Sequence, residues 1–288
     1  MVEPVRSALW LGEVAAASLA GGVVGSISGL GGGIVIVPVL TVIMGLPIQV
    51  AIGASLVSVI AVSSGAGSVY VKDRVTNVRI AMFLELSTAL GAIVGAGLLA
   101  PILQSHTRVL YILFGLVLLT SLIPVLFKIA EELPQGVQND RLATRLKLNG
   151  SYFDHRLNRT VEYNVTGIPA ALGYMFSAGI ISGLLGIGAG VVKVLAHEIA
   201  MKVPTKVSTA TSNFMIGVTA AAGAGVYLHR GDVMPFIVAP VAAAVLLGAY
   251  LGTKLMERLS NSRVRQIFAG ALGVVGLEML SRGFGWRL

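Results

Sequence analysis

Two stretches of this chain combine residue types that can hold an anion. They are Gly29-Leu30-Gly31-Gly32-Gly33-Ile34-Val35-Ile36-Val37-Pro38 and, 157 positions later, Gly186-Ile187-Gly188-Ala189-Gly190-Val191-Val192-Lys193-Val194-Leu195. Glycine inside a helix costs roughly 1 kcal/mol per position against alanine, so four glycines in five residues predict a break. A helix that restarts at Gly31, Gly32 and Gly33, or at Gly188, Ala189 and Gly190, leaves its first amides without intrahelical acceptors. It also turns the positive end of its dipole toward whatever lies there. Together these make an anion site. Ser26 and Ser28 before the first break, and Ser182 before the second, add hydroxyl donors. An isolated glycine pair in an apolar helix reads more simply as a device for close packing. Two such breaks in matching places favour a lining.

Lys193 stands in the first turn after the second break, where its charge adds to the dipole. Its counterpart in the first stretch is Ile36, so a site built on both would be asymmetric. An ionisable residue at membrane depth marks a functional site by default; the alternative is snorkelling to an interface. His197 follows four residues later, on the same helix face. A zinc reading of His197-Glu198 fails, because the H-E-x-x-H pattern requires a second His where Met201 stands. Glu198 and Lys202 read as an interfacial i,i+4 pair. Glu85 and His197 are the candidates for coupling to a proton or other ion; Glu85, two turns from Arg79, reads equally as an interfacial, solvated carboxylate. The segments after Pro47 and Pro204 carry matching hydroxyls, Ser55 and Ser212, with Asn213 beside the second. Such groups donate to an oxyanion without a buried charge, although Ser and Thr in helices often bond only their own i−4 carbonyl.

The elements that must position these residues are membrane helices. Charged residues are 12% of the 288 and hydrophobic ones 55%, against about 25% charged in a soluble domain. From Val14 to Val71 no Asp, Glu, Lys or Arg occurs. Irregular backbone inside such a run is tolerated only where protein or water covers it, and paired broken helices point to a transporter's binding site. The formal charge of +8 reflects cytoplasmic loops rather than nucleic-acid binding. With no cysteine, disulfides and thiolate metal sites are excluded; no cofactor and no metal is expected, and the absence of a G-x-x-x-x-G-K-[ST] motif argues against ATP drive.

Helices are expected from Ala8 to Ser28, Ile34 to Met44, Pro47 to Val71, Ile80 to Leu99 and Arg108 to Phe127. The interval 128–166 is a polar linker, with a small β-hairpin between Ser151-Tyr152-Phe153 and Thr160 to Val165. The second half then repeats the first at the constant offset: Pro47 matches Pro204, Ser55 matches Ser212, Tyr70 matches Tyr227, Gly91 matches Gly248 and Arg108 matches Arg265. Counting each broken segment as two spans, or as a re-entrant hairpin, gives each half an odd number of crossings. The basic loops 72–79, 128–166 and 254–265 then share one side, as the positive-inside rule asks. The expected fold is an all-α polytopic membrane protein of two inverted-topology repeats, 7–127 and 167–283. Each repeat holds a Gly-broken short-helix pair plus about three full transmembrane helices, the linker is cytoplasmic, and both termini lie outside.

Gly29 to Pro38 resembles the G-x-G-G-G-x-x-x-x-P motif of the TauE/SafE sulfite exporter (TSUP) family. Gly150-Ser151-Tyr152-Phe153-Asp154 and Ala210-Thr211-Ser212-Asn213-Phe214-Met215-Ile216-Gly217-Val218-Thr219 are similar to that family's sequence too. Ala189 and Leu195 depart from the motif in the second copy. The resemblance implies an integral protein of the cell (plasma or inner) membrane, without enzymatic activity, that exports small sulfur-containing anions such as sulfite or organosulfonates. Its partners would be that anion, membrane lipid and a coupling proton or other ion. Alternating access, with the halves rocking about the crossed breaks, is the expected mechanism. A passive anion channel is the first alternative; an intramembrane hydrolase using Ser28 and His197 is the second.

Overall fold

The computed structural model describes residues 8–28, 32–104, 106–126, 133–154, 157–256 and 261–286. Helix α1 (Ala8–Ser28) leads to the first break. After it come α2 (Gly33–Pro38), a π-helical turn (Val39–Ile43), α3 (Ile48–Lys72) and α4 (Val78–Val94). A second π turn (Gly95–Leu99) joins α4 to α5 (Ala100–Gln104), and α6 (Thr107–Leu126) closes the first half. The linker holds α7 (Arg141–Leu146) and the strands β1 (Gly150–Asp154) and β2 (Arg159–Tyr163). The second half is α8 (Ile168–Leu185), α9 (Gly190–Leu195), a π turn (Ala196–Ala200), α10 (Thr205–His229), α11 (Pro235–Met256) and α12 (Asn261–Phe284).

This is an all-α polytopic membrane protein. Ile48–Lys72, Val78–Leu103, Ile168–Leu185 and Pro235–Gly252 are long and apolar enough to cross a membrane. The 157-residue offset maps element onto element: α2 onto α9, each π turn after them onto the other, and both ends of α3 onto both ends of α10. The helix that starts at Val78 continues past Leu99, where the sequence had suggested it would stop, and through Pro101. Proline has no N–H to give, and a π turn shifts the orphaned acceptor to Ala96. The guanidinium of Arg230 donates to that carbonyl at 3.2 Å.

Packing crosses between the halves. Helix α1 lies on α11 and α8 on α4, while α3 lies on α10 and α6 on α12. The two outer pairs close by the same device, glycines on both partners. A methyl on Gly91 would strike the carbonyl of Phe176, and one on Gly179 that of Thr88. The equivalent positions Gly248 and Gly22 face Leu19 and Val245. Without side chains in the way the backbones approach closely, which is how helices associate where lipid removes the hydrophobic driving force. Helices α3 and α10 run antiparallel: Thr76 reaches Ala210 at one end, Ser63 meets Asn213 and Gly217 midway, and Leu56 lies against Gly223.

The linker docks on the start of α4. Asn77 caps that helix by accepting from the Ile80 amide (3.1 Å), and its Nδ2 donates to the Leu148 carbonyl (2.7 Å) and to the Tyr163 hydroxyl (2.8 Å). Arg79 donates to the Lys147 carbonyl. The hairpin pairs Tyr152 with Val161. Asp140 ties the linker to the second half, one carboxylate oxygen accepting from the Ala143 amide and the other from that of Ile168.

Candidate functional site

The two breaks meet. A side chain on Gly33 would collide with the Gly186 carbonyl, the Ser55 hydroxyl and Val59, and a side chain on Gly188 would meet the same Val59 and Ile216. Gly186, Gly188 and Ala189 all take left-handed backbone angles, φ +72°, +69° and +49°. For the alanine this conformation costs roughly 1 kcal/mol or more. The strained turn is pinned from α3, where Ser55 Oγ donates to the Gly186 carbonyl at 2.7 Å. Ser212, the equivalent residue of α10, donates to the Gly190 carbonyl at 3.2 Å.

Beyond the turn, Lys193 is the first residue of α9 whose amide closes a helical bond, on the Ala189 carbonyl. The amides from Ile187 to Val192 close no well-formed bond on a backbone carbonyl among the described residues, although Ile187 to Val191 are buried. Buried backbone donors are almost always paired, so a row without such bonds is an unmet electrostatic demand. In the first half, the Gly32 carbonyl accepts from Val35 and Ile36 as α2 begins. Gly31 lies outside the described residues, as does the side chain of Ser28.

Lys193 points neither to an interface nor to solvent; it is fully buried. Its ammonium donates to Thr219 Oγ1 on α10 and stands 3.5 Å from Glu85 Oε2 on α4. Thr219 in turn donates to Glu85 Oε1. Glu85 is 7% exposed, so it is not the solvated interfacial carboxylate that its distance from Arg79 had suggested. The three residues form one chain, ammonium to hydroxyl to carboxylate, drawn from both halves. At the offset of 157 their equivalents are Ile36, Val62 and Ala242. The second copy of the site is wholly apolar.

His197 is fully buried against the backbone of Ser208, and neither ring nitrogen closes a well-formed hydrogen bond among the described residues. No serine hydroxyl reaches it, so a Ser–His nucleophile pair is absent among those residues. The buried hydroxyl of Ser182 is likewise unpartnered. Asn213 spends its Nδ2 on the Thr209 carbonyl one turn back. Glu198 and Lys202 do not pair, because the helix ends in a π turn and Lys202 takes φ +56°. Among the described residues no group of three or more His, Asp or Glu could hold a metal ion. Thr219 is the site residue that sequence reasoning passed over. Its type is ordinary in a membrane helix, and only the crossing of α10 over α4 gives it a carboxylate and an ammonium to join.

Comparison with known proteins fits this architecture. Residues 14–279 match the family model for the sulfite exporter TauE/SafE. The chain belongs to the TauE/SafE family. Proteins similar to this TauE/SafE chain include the probable membrane transporter protein YunE of Bacillus subtilis, 25% identical over 272 residues that cover 92% of this chain and 95% of YunE. A second is the probable membrane transporter protein MJ0441 of Methanocaldococcus jannaschii, 25% identical over 273 residues, covering 90% of this chain and 91% of the relative. No solved structure matches. The family and its apolar helices make this an integral membrane protein of the transporter class.

Proposed function

We propose that the protein is a secondary transporter of small sulfur-containing oxyanions, sulfite or an organosulfonate, working as an exporter in the cell membrane. The anion sits where the two breaks meet, against Gly32, Gly33, Gly188, Ala189 and Gly190, with Ser55, Ser212, Asn213 and Lys193 around it. The observation that carries this reading is the row of buried amides from Ile187 to Val191 that close no well-formed backbone bond among the described residues. An oxyanion supplies several acceptors at once, and backbone N–H groups aimed at one place bind it without a counter-charge. The hydroxyls of Ser55 and Ser212 now hold the Gly186 and Gly190 carbonyls. Turning them to the anion would release the pins on the turn and so link binding to movement of the break.

The antiparallel course of the repeat mates α3 and α10 supports inverted repeats and alternating access. The linker is cytoplasmic and the termini are outside, in keeping with the basic loops. The test is flux into liposomes holding the purified protein, with sulfite, methanesulfonate, sulfate and chloride compared. Saturable transport of the sulfur anions, weakened by Gly32→Leu while membrane insertion is kept, is the expected result. Unsaturable conductance of all four anions would favour a channel and overturn the proposal.

A further inference from the structure

The chain Lys193–Thr219–Glu85 carries no net charge when its ends are ionised, and an anion cannot join it without upsetting that balance. Lys193 is fully buried and Glu85 nearly so. Among the described residues their only close opposite charges are each other, at 3.5 Å, with the Thr219 hydroxyl between them. Around Glu85, α8 contributes no ionisable group except the exposed Tyr174, and α10 carries Lys206 at one end and Tyr227 and His229 at the other. Helix α9 and its π turn bring His197 and Glu198 in addition to Lys193. Removing one partner from a buried pair leaves an uncompensated charge, at a cost of several kcal/mol. An arriving anion that takes over the ammonium does the same to the Glu85 carboxylate.

We propose that Glu85 binds a proton whenever an anion binds at Lys193, so that the transporter carries one proton with each monovalent anion and crosses the membrane neutral both loaded and empty. This rests on the anion site proposed above and names its coupling ion. Loaded, the site holds ammonium, anion and carboxylic acid; empty, it holds ammonium and carboxylate. The incoming proton forms the Glu85 O–H bond and no other bond changes. His197, one turn beyond Lys193 and fully buried, supplies a further polar group in the same buried region. Transport direction then follows the summed gradients, export prevailing when the inside anion excess exceeds the inward proton gradient. The apolar residues Ile36, Val62 and Ala242 at the equivalent place give the protein one such coupling site rather than two.

The experiment uses proteoliposomes with a pH-sensitive dye inside and labelled methanesulfonate, whose conjugate acid is too strong to leak across as a neutral species. Wild type should move one proton per anion, at a rate indifferent to membrane potential. Glu85→Gln keeps the cation and loses the acid. Its ratio of net methanesulfonate uptake to methanesulfonate–methanesulfonate exchange should fall about tenfold or more below that of wild type, because the empty carrier now bears a buried charge. Net uptake at the wild-type rate in Glu85→Gln would overturn the proposal. So would wild-type flux without protons, a result that decides the matter alone if the variant fails to fold and that leaves the anion-transport reading standing. Failure of wild type to carry either methanesulfonate or sulfite would remove both readings.

Discussion

The Lys193–Glu85 pair makes a stability prediction in which the single and double replacements diverge. At 3.5 Å, two unit charges in a medium of effective dielectric constant about 20 attract by about 5 kcal/mol. That attraction is offset by the desolvation of both ions, which is why buried pairs replaced whole by apolar residues are often no less stable. Lys193→Met leaves Glu85 among α4, α9 and α10 with, among the described residues, only the Thr219 hydroxyl as donor, and Glu85→Gln leaves the ammonium equally stranded. Each single change should destabilise by about 3–5 kcal/mol. The double variant Lys193→Met/Glu85→Gln should return to within about 1 kcal/mol of wild type. In a chain of this size a loss of 4 kcal/mol corresponds to a fall in Tm of about 10 °C. Thermal unfolding of the four proteins in one detergent, followed by circular dichroism, reads the cycle. Two singles that each lose little, or a double whose loss is the sum of theirs, would show that the two groups do not depend on one another and refute the pairing.

Alanine at Gly91 should open the α4–α8 contact and lower stability by about 1–3 kcal/mol, and alanine at its repeat mate Gly248 should do the same to α1–α11. A Tm unchanged in either variant would contradict the close approach. In the linker, burial pushes the Tyr163 phenol up from 10.0 to about 12, outweighing the Asn77 hydrogen bond, which acts the other way. The folded linker therefore holds the phenolic proton more tightly than the unfolded one. That contribution is complete below pH 10 and fades as the pH rises toward 12. Protease cleavage within residues 137–165 should accelerate over this range, and Tyr163→Phe should flatten the dependence. An unaltered profile in the variant would assign the effect to another group.

What the sequence discloses divides along a physical line. Helix α1 and the turn at Gly186 follow from local properties, a long apolar run and residues that take left-handed backbone angles at low cost. The same is true of the duplication, since a constant offset is visible without any structure. The three π turns leave no comparable trace. The one before Pro101 answers a local stress at Ala96, where the missing proline donor is replaced by an arginine more than a hundred residues away. Lys193 was visible as an anomaly because a lysine in an apolar run is rare. That it joins Glu85 and Thr219 was not visible, because these stand on α4 and α10 and the contacts span 108 and 26 residues of sequence. Ser55 and Ser212 were visible as a matched pair, but that both protons are already given to carbonyls of the second break depends on a contact that spans 131 residues in one case and 22 in the other.

The two halves keep in common what shapes the backbone and differ in what carries charge. Breaks, π turns, pinning serines and helix-contact glycines recur at the offset, whereas Lys193, Thr219 and Glu85 face Ile36, Val62 and Ala242. A duplicated frame needs both copies of its backbone devices, since α1 on α11 and α8 on α4 are held by the same glycine geometry. It does not need two buried ion pairs. Charge at membrane depth is expensive, and an apolar replacement packs at no penalty if all members change together. Loss of one member alone would strand the others, so the three positions are bound to be polar as a set or apolar as a set. On that argument the asymmetry is not decay of a second site but the stable alternative to it, and it leaves Lys193, Thr219 and Glu85 as a unit for any mechanism to use.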